Sequence, residues 1–340
     1  MKAIVYRVHG GPEVLELVDR DLPSPGPGEV RVRIAVSGVN PTDWQARAGG
    51  ANAPDFPETT PHHDGAGTID AVGEGVDPGR VGERVWVFMA AAGRPTGTAA
   101  EFAVVPAGRA VPLPEGTGFE VGAALGVPAL TAHRALTVAE DGPRRLGPGA
   151  LTGEVVLAAG GAGAVGHAVI QLARWAGATV IATVGSREKA RLATAAGAHH
   201  VVDYREGDPA AAIREIAPDG VDVIAEVALG ANLGLDLAVL RSRGTIAAYG
   251  NVGGGPVTLD VRRNMVVNTR LQFLVLYTAG PRVLAAAVED VTAAVRDGAL
   301  PVGERHGLPL LRFPLDRTAD AHRAVEHGAV GKVLVDLTSG

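Results

Sequence analysis

The segment that most constrains this chain is a strand–turn–helix–strand pattern at residues 155–189, with the sequence VVLAAGGAGAVGHAVIQLARWAGATVIATVGSREK. Its first apolar run ends in a turn with G-x-x-G-x-x-G spacing, formed by Gly160, Gly163 and Gly166. Glycines let the backbone approach a pyrophosphate closely, and the following helix N-terminus offers free N–H groups and a partial positive charge. The segment therefore predicts a βαβ unit that binds a dinucleotide, with an ordinary tight turn as the alternative.

The end of the second strand indicates which dinucleotide is bound. Folds that are specific for NAD usually place an acidic residue about 20 residues after the first glycine, where it binds the ribose 2′-hydroxyl. Here the strand ends in Gly185 and Ser186, and Arg187 and Lys189 follow. A 2′-phosphate is anionic and rich in acceptor oxygens, so it suits this polar, cationic sequence. We predict NADPH as the cofactor, and the alternative is that the two cations form a solvated helix start.

Composition excludes several other classes of protein. The chain has 340 residues, which are too many for one ordinary hydrophobic core and predict two domains. It has no cysteine, so disulfides, cysteine nucleophiles and thiolate metal sites are excluded. The net charge of −6 provides no basic surface for nucleic acid. No apolar stretch reaches the length of a membrane span and no secretion signal is recognisable, so we expect a cytoplasmic protein.

Two patterns along the chain predict two kinds of domain and an α/β fold class. Up to about residue 125, short β-prone runs separated by glycine and proline favour a barrel-like β domain. Beyond that point, apolar strands alternate with helical stretches, which is typical of a doubly wound parallel sheet covered on both faces. We assign residues 126–266 to the dinucleotide-binding domain, and residues 1–125 with 267–340 to the catalytic domain.

Motifs spread over nearly the whole chain carry a family resemblance. In order, they are MKAIVYRVHGGPEVLEL, GEVRVRIAVSGVNPTDWQARAGG, TPHHDGAGTIDAVGEGV, LGVPALTAHRAL, the glycine turn, VVDYRE, RGTIAAYGNVGG and HGAVGKVLVDL. Together they resemble the medium-chain dehydrogenase/reductase superfamily, specifically its zinc-free quinone oxidoreductase branch of zeta-crystallin type. The resemblance implies a GroES-like β-barrel catalytic domain and a Rossmann domain. It also implies an NADPH-dependent reductase that transfers hydride to quinones or α,β-unsaturated carbonyls.

Carried over position by position, the resemblance implies a set of cofactor contacts. The glycine turn would hold the pyrophosphate, the end of the second strand would face the 2′-phosphate, and later loops would line the nicotinamide. The implied cofactor-binding residues are Asn40, Thr131, Ala162, Gly163, Ala164, Val165, Gly185, Ser186, Lys189, Tyr204, Tyr249, Gly250, Asn251, Val252, Leu274, Val275, Leu276 and Lys332. The alternatives are core packing for Tyr249 and Leu276 and helix capping for Thr131.

Asn40 and His63 are the candidate catalytic residues. By position, His63 matches a zinc ligand of zinc-dependent relatives, but Asn40 replaces their cysteine and the third position, near Val127, is apolar. Catalytic zinc needs three protein ligands, so we expect no metal. Without a Lewis acid, hydride transfer to an already electrophilic carbon is favoured over alcohol oxidation. Asn40 or a backbone N–H would stabilise the developing oxyanion, and His63 or water would supply the proton.

Trp44 and Gln45 are the candidate substrate-pocket residues. Related reductases often carry a tyrosine at the position of Gln45, so their substrate contacts do not transfer directly to this chain. Trp44 is the neighbouring aromatic residue and either walls the pocket or packs in the core. We expect Asp43 to cap the helix that follows it.

Two further functions and one assembly state stay open at this point. An enoyl-thioester reductase would need basic residues for a phosphopantetheine or coenzyme A tail, and an NADPH-binding protein could have a non-catalytic role. The apolar run RLQFLVLY at residues 270–277 is β-prone, and an exposed strand edge needs covering. We expect this strand to pair across a homodimer, with a buried strand in one chain as the alternative.

Overall fold

The computed structural model describes residues 1–50 and 55–337, and the strands of these residues form three sheets. In chain order, the strands and α-helices are β1 (Lys2–Val5), β2 (Glu16–Asp19), β3 (Glu29–Val39), α1 (Pro41–Arg47), β4 (Asp64–Val72), β5 (Arg84–Val87), β6 (Phe102–Pro106), β7 (Ala110–Pro112), α2 (Phe119–Leu136), β8 (Val155–Ala159), α3 (Ala164–Trp175), β9 (Thr179–Val184), α4 (Arg187–Ala196), β10 (His200–Asp203), α5 (Pro209–Ile216), β11 (Val221–Glu226), α6 (Leu229–Val239), β12 (Leu240–Ala248), α7 (Val261–Val267), β13 (Arg270–Phe273), α8 (Pro281–Arg296), β14 (Leu310–Pro314), α9 (Thr318–Glu326) and β15 (Lys332–Asp336). The chain divides into two units, residues 1–127 with the chain from residue 310 onward, and residues 128–309.

The first unit is built on a seven-stranded sheet. Its order is β14-β15-β3-β4-β5-β7, and β6 pairs with β3; the pairings are antiparallel except for β14 with β15. Alternate residues of β3, Val30, Val32 and Ile34, are buried, whereas Arg33 between them is exposed. This two-residue period directs one row of β3 side chains into the core, as expected for a half-buried strand.

The second unit contains a six-stranded, fully parallel sheet of order β10-β9-β8-β11-β12-β13. Strands such as β8 are apolar without alternation and are buried on both faces, because helices follow the strands along the chain. The strand order reverses between β8 and β11, which is the switch point of a doubly wound sheet. The predicted α/β fold class is confirmed.

Residues 267–309 are placed differently from the sequence-based assignment, which put them in the catalytic domain. In the structure they belong to the second unit, because β13 pairs in parallel with β12, with Leu271 opposite Ile246. The apolar pattern of this segment predicts a strand, but it does not show which sheet has an open edge to accept it. Among the described residues, no helix combines the length and apolarity needed to cross a membrane.

A buried ion network anchors α8 inside the second unit. Asp290 Oδ2 accepts hydrogen bonds from His133 Nε2 at 2.8 Å and from the Leu146 N–H at 2.7 Å. Arg145 Nε donates to Asp290 Oδ1 at 2.8 Å. Burial by itself raises the pKa of Asp290, but the hydrogen bonds from His133, Arg145 and Leu146 outweigh it and lower that pKa to about 2. The network stabilises the fold only while this carboxylate is ionised.

We expect Asp290→Asn to lower the free energy of unfolding by about 1–3 kcal/mol at pH 7, because donors in a buried site lose a charged acceptor. Since the folded-state pKa is depressed, the stabilisation is complete above the ordinary aspartate range and is lost as the pH falls through about 2. Urea denaturation of both proteins between pH 7 and pH 3 measures the difference, which must shrink on acidification.

The matched control is Asp141→Asn, since Asp141 forms an exposed ion pair with Arg243. Exposed pairs contribute at most about 1 kcal/mol. Equal losses in the two variants would contradict the role of Asp290.

Candidate cofactor and active site

The carboxyl edge of the parallel sheet collects most of the predicted cofactor residues. Because all six strands run in the same direction, the segments that follow them meet at one edge, where open α/β sheets bind ligands. These segments are Ala162–Val165 after β8, Gly185–Lys189 after β9, Tyr204 after β10, Tyr249–Val252 after β12 and Leu274–Leu276 after β13. The other predicted residues lie elsewhere, with Thr131 buried on α2 and Asn40 and Lys332 in the first unit.

The glycine turn has a backbone that fits a pyrophosphate. Gly160 has a φ of +66°, and the Gly163 N–H donates to the Gly160 carbonyl at 2.9 Å before α3 begins at Ala164. A Cβ atom on Gly166 would collide with the Gly160 carbonyl oxygen, so the turn closes this tightly only with glycine there. The N–H groups of the first turn of α3 have no partner within the helix and therefore suit an anion.

The end of β9 carries polar groups suited to a 2′-phosphate. Ser186 caps α4, with its Oγ accepting the Lys189 N–H at 3.3 Å, so the hydroxyl hydrogen remains available to donate. The Tyr204 hydroxyl packs directly on Gly185, and a Cβ on that glycine would lie 3.3 Å from Arg205 Nε. Arg205 is exposed and was missed from the sequence, although it follows the tyrosine in VVDYRE.

The loop after β12 is held by the loop after β11. The Val252 N–H donates to the Val227 carbonyl at 3.0 Å, and Asn251 Oδ1 accepts the Gly230 N–H at 2.7 Å. The side chain of Asn251 is therefore occupied within the loop, whereas Val252 is exposed.

The segment after β13 likewise contains both buried and exposed side chains. Leu274 and Leu276 are buried, which favours a packing role, and Val275 between them is exposed. Of these three predicted nicotinamide contacts, Val275 presents a side chain at the surface of the second unit.

In the first unit, Asn40 stands at the start of α1 with its amide held in one orientation. Its Nδ2 donates to Asp64 Oδ2 at 2.8 Å, and its Oδ1 accepts from Lys332 Nζ at 2.7 Å. The Asn40 N–H donates to Asp43 Oδ2 at 2.7 Å in a capping box, so Asn40 is the N-cap of α1 and Asp43 supports the cap from inside the helix instead of preceding it. Trp44 and Gln45 lie on the same helix, the first half-buried and the second exposed.

Lys332 is enclosed rather than presented to a ligand. It is 1% exposed, donates to the Val39 carbonyl at 3.1 Å as well as to Asn40, and lies 3.9 Å from Asp64 Oδ2. Burial lowers the pKa of the Lys332 ammonium, and the Asp64 and Asp43 carboxyl groups oppose that shift. The sequence predicted a cofactor contact at this position, whereas the geometry makes Lys332 a residue that orients Asn40.

These donors do not fit a catalytic zinc ion. Both oxygens of Asp64 lie 2.9 Å from the Val127 N–H, and the Lys332 ammonium already supplies the local positive charge. Val127 has no ligating side-chain atom, and an asparagine replaces the thiolate that zinc prefers. Across residues 1–50 and 55–337, no cluster of three or more histidine or acidic side chains is arranged to hold a metal.

His63 is a poor proton donor at neutral pH. Burial, together with the nearby Arg109 guanidinium, lowers the pKa of its imidazole to about 4. A general acid needs a pKa near the working pH, so the imidazolium form is too scarce to serve. Of the two proton sources predicted from the sequence, water is the one that this geometry favours.

Comparisons with known proteins agree with this architecture. The family described as alcohol dehydrogenase GroES-like domain matches residues 26–115, and the one described as zinc-binding dehydrogenase matches residues 164–293. The quinone oxidoreductase of Rattus norvegicus is 33% identical, with 99% of this chain and 98% of that protein covered. The crystal structure of Escherichia coli quinone oxidoreductase complexed with NADPH is 27% identical, covers 99% and 100%, and has a TM-score of 0.81. An NAD-dependent alcohol dehydrogenase structure is 28% identical, covers 99% and 100%, and has a TM-score of 0.85.

A GroES-like domain joined in sequence to a parallel sheet with a glycine-turn edge defines the medium-chain dehydrogenase/reductase class. Within that class, the chain belongs to the quinone oxidoreductase branch of zeta-crystallin type, so the family predicted from the sequence is confirmed. It is accordingly an enzyme of the quinone oxidoreductase kind.

Lys332→Met tests the Asn40–Asp64–Lys332 cluster, because it removes the cation beside Asp64 and keeps much of the side-chain volume. Removing one partner of a buried charge pair leaves the other uncompensated, so we expect the free energy of unfolding to fall by about 3–5 kcal/mol. Urea denaturation measures the loss, and adding Asp64→Asn to Lys332→Met must recover part of it.

Lys2→Met is the matched control, because Lys2 forms an exposed ion pair with Asp19. We expect that variant to lose at most about 1 kcal/mol. A Lys332→Met protein as stable as Lys2→Met would overturn the role given to the cluster.

Proposed function

We propose that the protein is an NADPH-dependent reductase that transfers hydride to quinones or α,β-unsaturated carbonyls without a zinc ion. The observation that carries the proposal is the Asn40–Asp64–Lys332 cluster, in which an amide, a carboxylate and an ammonium satisfy one another. This donor set offers no place for a Lewis acid, so the hydride acceptor must be electrophilic by itself. The name of the Rattus norvegicus relative supports a quinone as that acceptor.

The choice of NADPH rests on the residues at the end of β9. The fold alone does not decide it, because similar structures include one complexed with NADPH and one described as NAD-dependent. Here no acidic side chain follows β9 directly, and Ser186, Lys189 and Arg205 provide a hydroxyl and two cations. Charge-assisted hydrogen bonds from such groups recognise a phosphate and gain nothing from a 2′-hydroxyl.

The chain's own residues bind and orient the reactants. Bound NADPH supplies the hydride from its nicotinamide ring. The glycine turn and the first turn of α3 hold the pyrophosphate. Asp64 and Lys332 fix the Asn40 amide, whose second Nδ2 hydrogen serves the oxygen on which negative charge develops. His63 stays neutral, so water delivers the proton. Trp44 and Gln45 complete the predicted substrate pocket.

A homodimer and a cytoplasmic location belong to the same proposal. In the six-stranded sheet β13 is an edge strand, and Phe273 and Val275 at its end are 66% and 51% exposed. Met265 on α7 adds another exposed apolar side chain. Exposed apolar strand edges favour pairing with another chain, and a second copy offers the same edge by twofold symmetry.

Purified protein tests the proposed reaction when NADPH absorbance is followed with a panel of quinones, enones, a short enoyl-coenzyme A and simple alcohols with NADP⁺. We expect NADPH consumption with quinones or enones, no alcohol oxidation, and no loss of rate after dialysis against a chelator. Turnover of the enoyl-coenzyme A alone would establish the enoyl-thioester reductase instead. Tight NADPH binding without turnover of any compound would favour a non-catalytic role, and inactivation by the chelator would refute zinc independence.

Cofactor selectivity is tested by Lys189→Ala and Arg205→Ala. Each change removes one charged donor, worth about 1.5–3 kcal/mol, so NADPH affinity should fall by about tenfold or more. NADH affinity should stay the same, because NADH has no 2′-phosphate. Fluorescence titration with both nucleotides provides the measurement.

Arg191→Ala on α4 is the control for a general loss of positive charge, since Arg191 is exposed two residues after Lys189, about 200° around the helix axis. It should leave both affinities unchanged. Parallel losses of NADPH and NADH affinity in the Lys189 and Arg205 variants would contradict recognition of the 2′-phosphate.

A further inference from the structure

Two acidic side chains of the second unit are buried side by side at the carboxyl end of β11. Glu226 is 0% exposed and Asp236, on α6, is 1% exposed, and their carboxyl groups are hydrogen-bonded to each other. Two carboxyl groups can share a hydrogen bond only when one of them carries a proton. No step of the proposed reaction uses this pair, and neither residue lies in a motif recognisable from the sequence.

Glu226 connects the pair to the β11–α6 loop. The Ala228 N–H donates a short hydrogen bond to Glu226 Oε1, and Asn232 Nδ2 lies 3.1 and 3.2 Å from the two carboxylate oxygens. The Glu226 carbonyl also accepts the Tyr249 N–H at 2.9 Å. Through its side chain and its backbone, Glu226 therefore determines where the loop at Val227 and Ala228 lies.

Val227 in turn lies between two loops assigned to the cofactor. A Cβ on Gly160 would lie 3.2 Å from Val227 Cγ1, and a Cβ on Gly250 would lie 2.8 Å from the Val227 carbonyl oxygen. The Val252 N–H donates to that same carbonyl. A displacement of Val227 would therefore disturb both the glycine turn and the loop after β12.

We propose that Asp236 is a positioning residue that acts through Glu226 to hold the β11–α6 loop in the conformation that receives the nicotinamide end of the cofactor. The inference rests on the proposed function, because it assumes a nicotinamide cofactor at this edge. As a protonated acid, Asp236 donates the hydrogen bond that lets the Glu226 carboxylate keep its bonds to Ala228 and Asn232.

The ionisation of the pair makes this role measurable. Burial and the neighbouring Glu226 carboxylate raise the pKa of Asp236 to about 9, so the proton is present at neutral pH. Tyr249 faces the pair from the end of β12, and burial together with Glu226 raises the pKa of its phenol. Arg214 of α5 donates to the Ala238 and Leu240 carbonyls rather than to the pair. Above pH 9 two buried carboxylates would repel each other and release the loop.

The decisive comparison is the pH dependence of NADPH affinity in wild type and Asp236→Asn, by fluorescence titration between pH 7 and pH 10. Asparagine keeps a donor for Glu226 and cannot ionise. We expect wild-type affinity to fall by up to about tenfold per pH unit above the Asp236 pKa, and the Asp236→Asn affinity to lack this extra loss. Asp236→Ala, which has no donor, should bind NADPH more weakly already at pH 7.

Glu154→Gln is the matched control. Glu154 precedes β8 at the opposite edge of the sheet and is hydrogen-bonded to Asp222, and burial followed by that neighbour raises its pKa to about 7. This variant removes a shared proton far along the strands from the cofactor edge, so the alkaline loss of NADPH affinity should persist. The proposal would be overturned if Asp236→Asn lost NADPH affinity at alkaline pH as the wild type does. It would also be overturned if Glu154→Gln no longer lost that affinity.

Hydrogen exchange of the cofactor-free protein separates this inference from the proposed function. The Tyr249 and Val252 amides should lose protection above pH 9 in wild type, beyond the ordinary effect of base, and keep it in Asp236→Asn. Loss of protection without any NADPH binding would refute the proposed function and leave the loop linkage intact. Unchanged protection in wild type would refute the linkage, whatever the protein binds.

Discussion

Parallel pairing of strands buried on both faces is the constraint on which the second unit depends. Strands such as β8 are apolar on both faces, so helices must cover both faces of the sheet. Because these helices connect one strand to the next, the strands run in the same direction. All carboxyl ends therefore reach one edge, and residues as distant in sequence as Gly160 and Tyr249 become neighbours of the same loop. The proposed dinucleotide-binding edge is a consequence of this packing as much as of the glycine turn.

Three buried carboxyl groups are each stabilised in a different way. Asp290 stays ionised because three donors surround it, whereas Asp236 stays protonated because it is buried and Glu226 lies beside it. Asp64 is held between Asn40 and Lys332. In each case removal of one partner leaves a group that neither water nor the protein satisfies. The Asn40–Asp64–Lys332 cluster and the Glu226–Asp236 pair each hold a polar group beside a segment with a predicted function. The same contacts therefore contribute to stability and to the proposed function.

Prediction from the sequence succeeded where the signal is local and periodic. The strand–turn–helix–strand pattern predicted over residues 155–189 matches β8, α3 and β9, since its apolar runs are short and bounded by turn residues. Helix α2 was not predicted, because its sequence contains Gly122, Gly126 and Pro128 and is buried along most of its length, which hides both helix propensity and amphipathic period. Of the site residues that were missed, Glu226 and Asp236 lie outside every motif named from the sequence, whereas Arg205 follows Tyr204 within VVDYRE.

By itself, the sequence determined the class of cofactor, the α/β architecture and the absence of thiolate chemistry, because glycine spacing, apolar period and composition are properties of neighbouring residues. Only the tertiary structure decided that β13 joins the parallel sheet and brings residues 267–309 into the second unit, that Lys332 orients Asn40 instead of facing a ligand, and that Asp236 lies against Glu226. These outcomes depend on which groups pack against one another away from water, and the spacing of residues along the chain does not specify that packing.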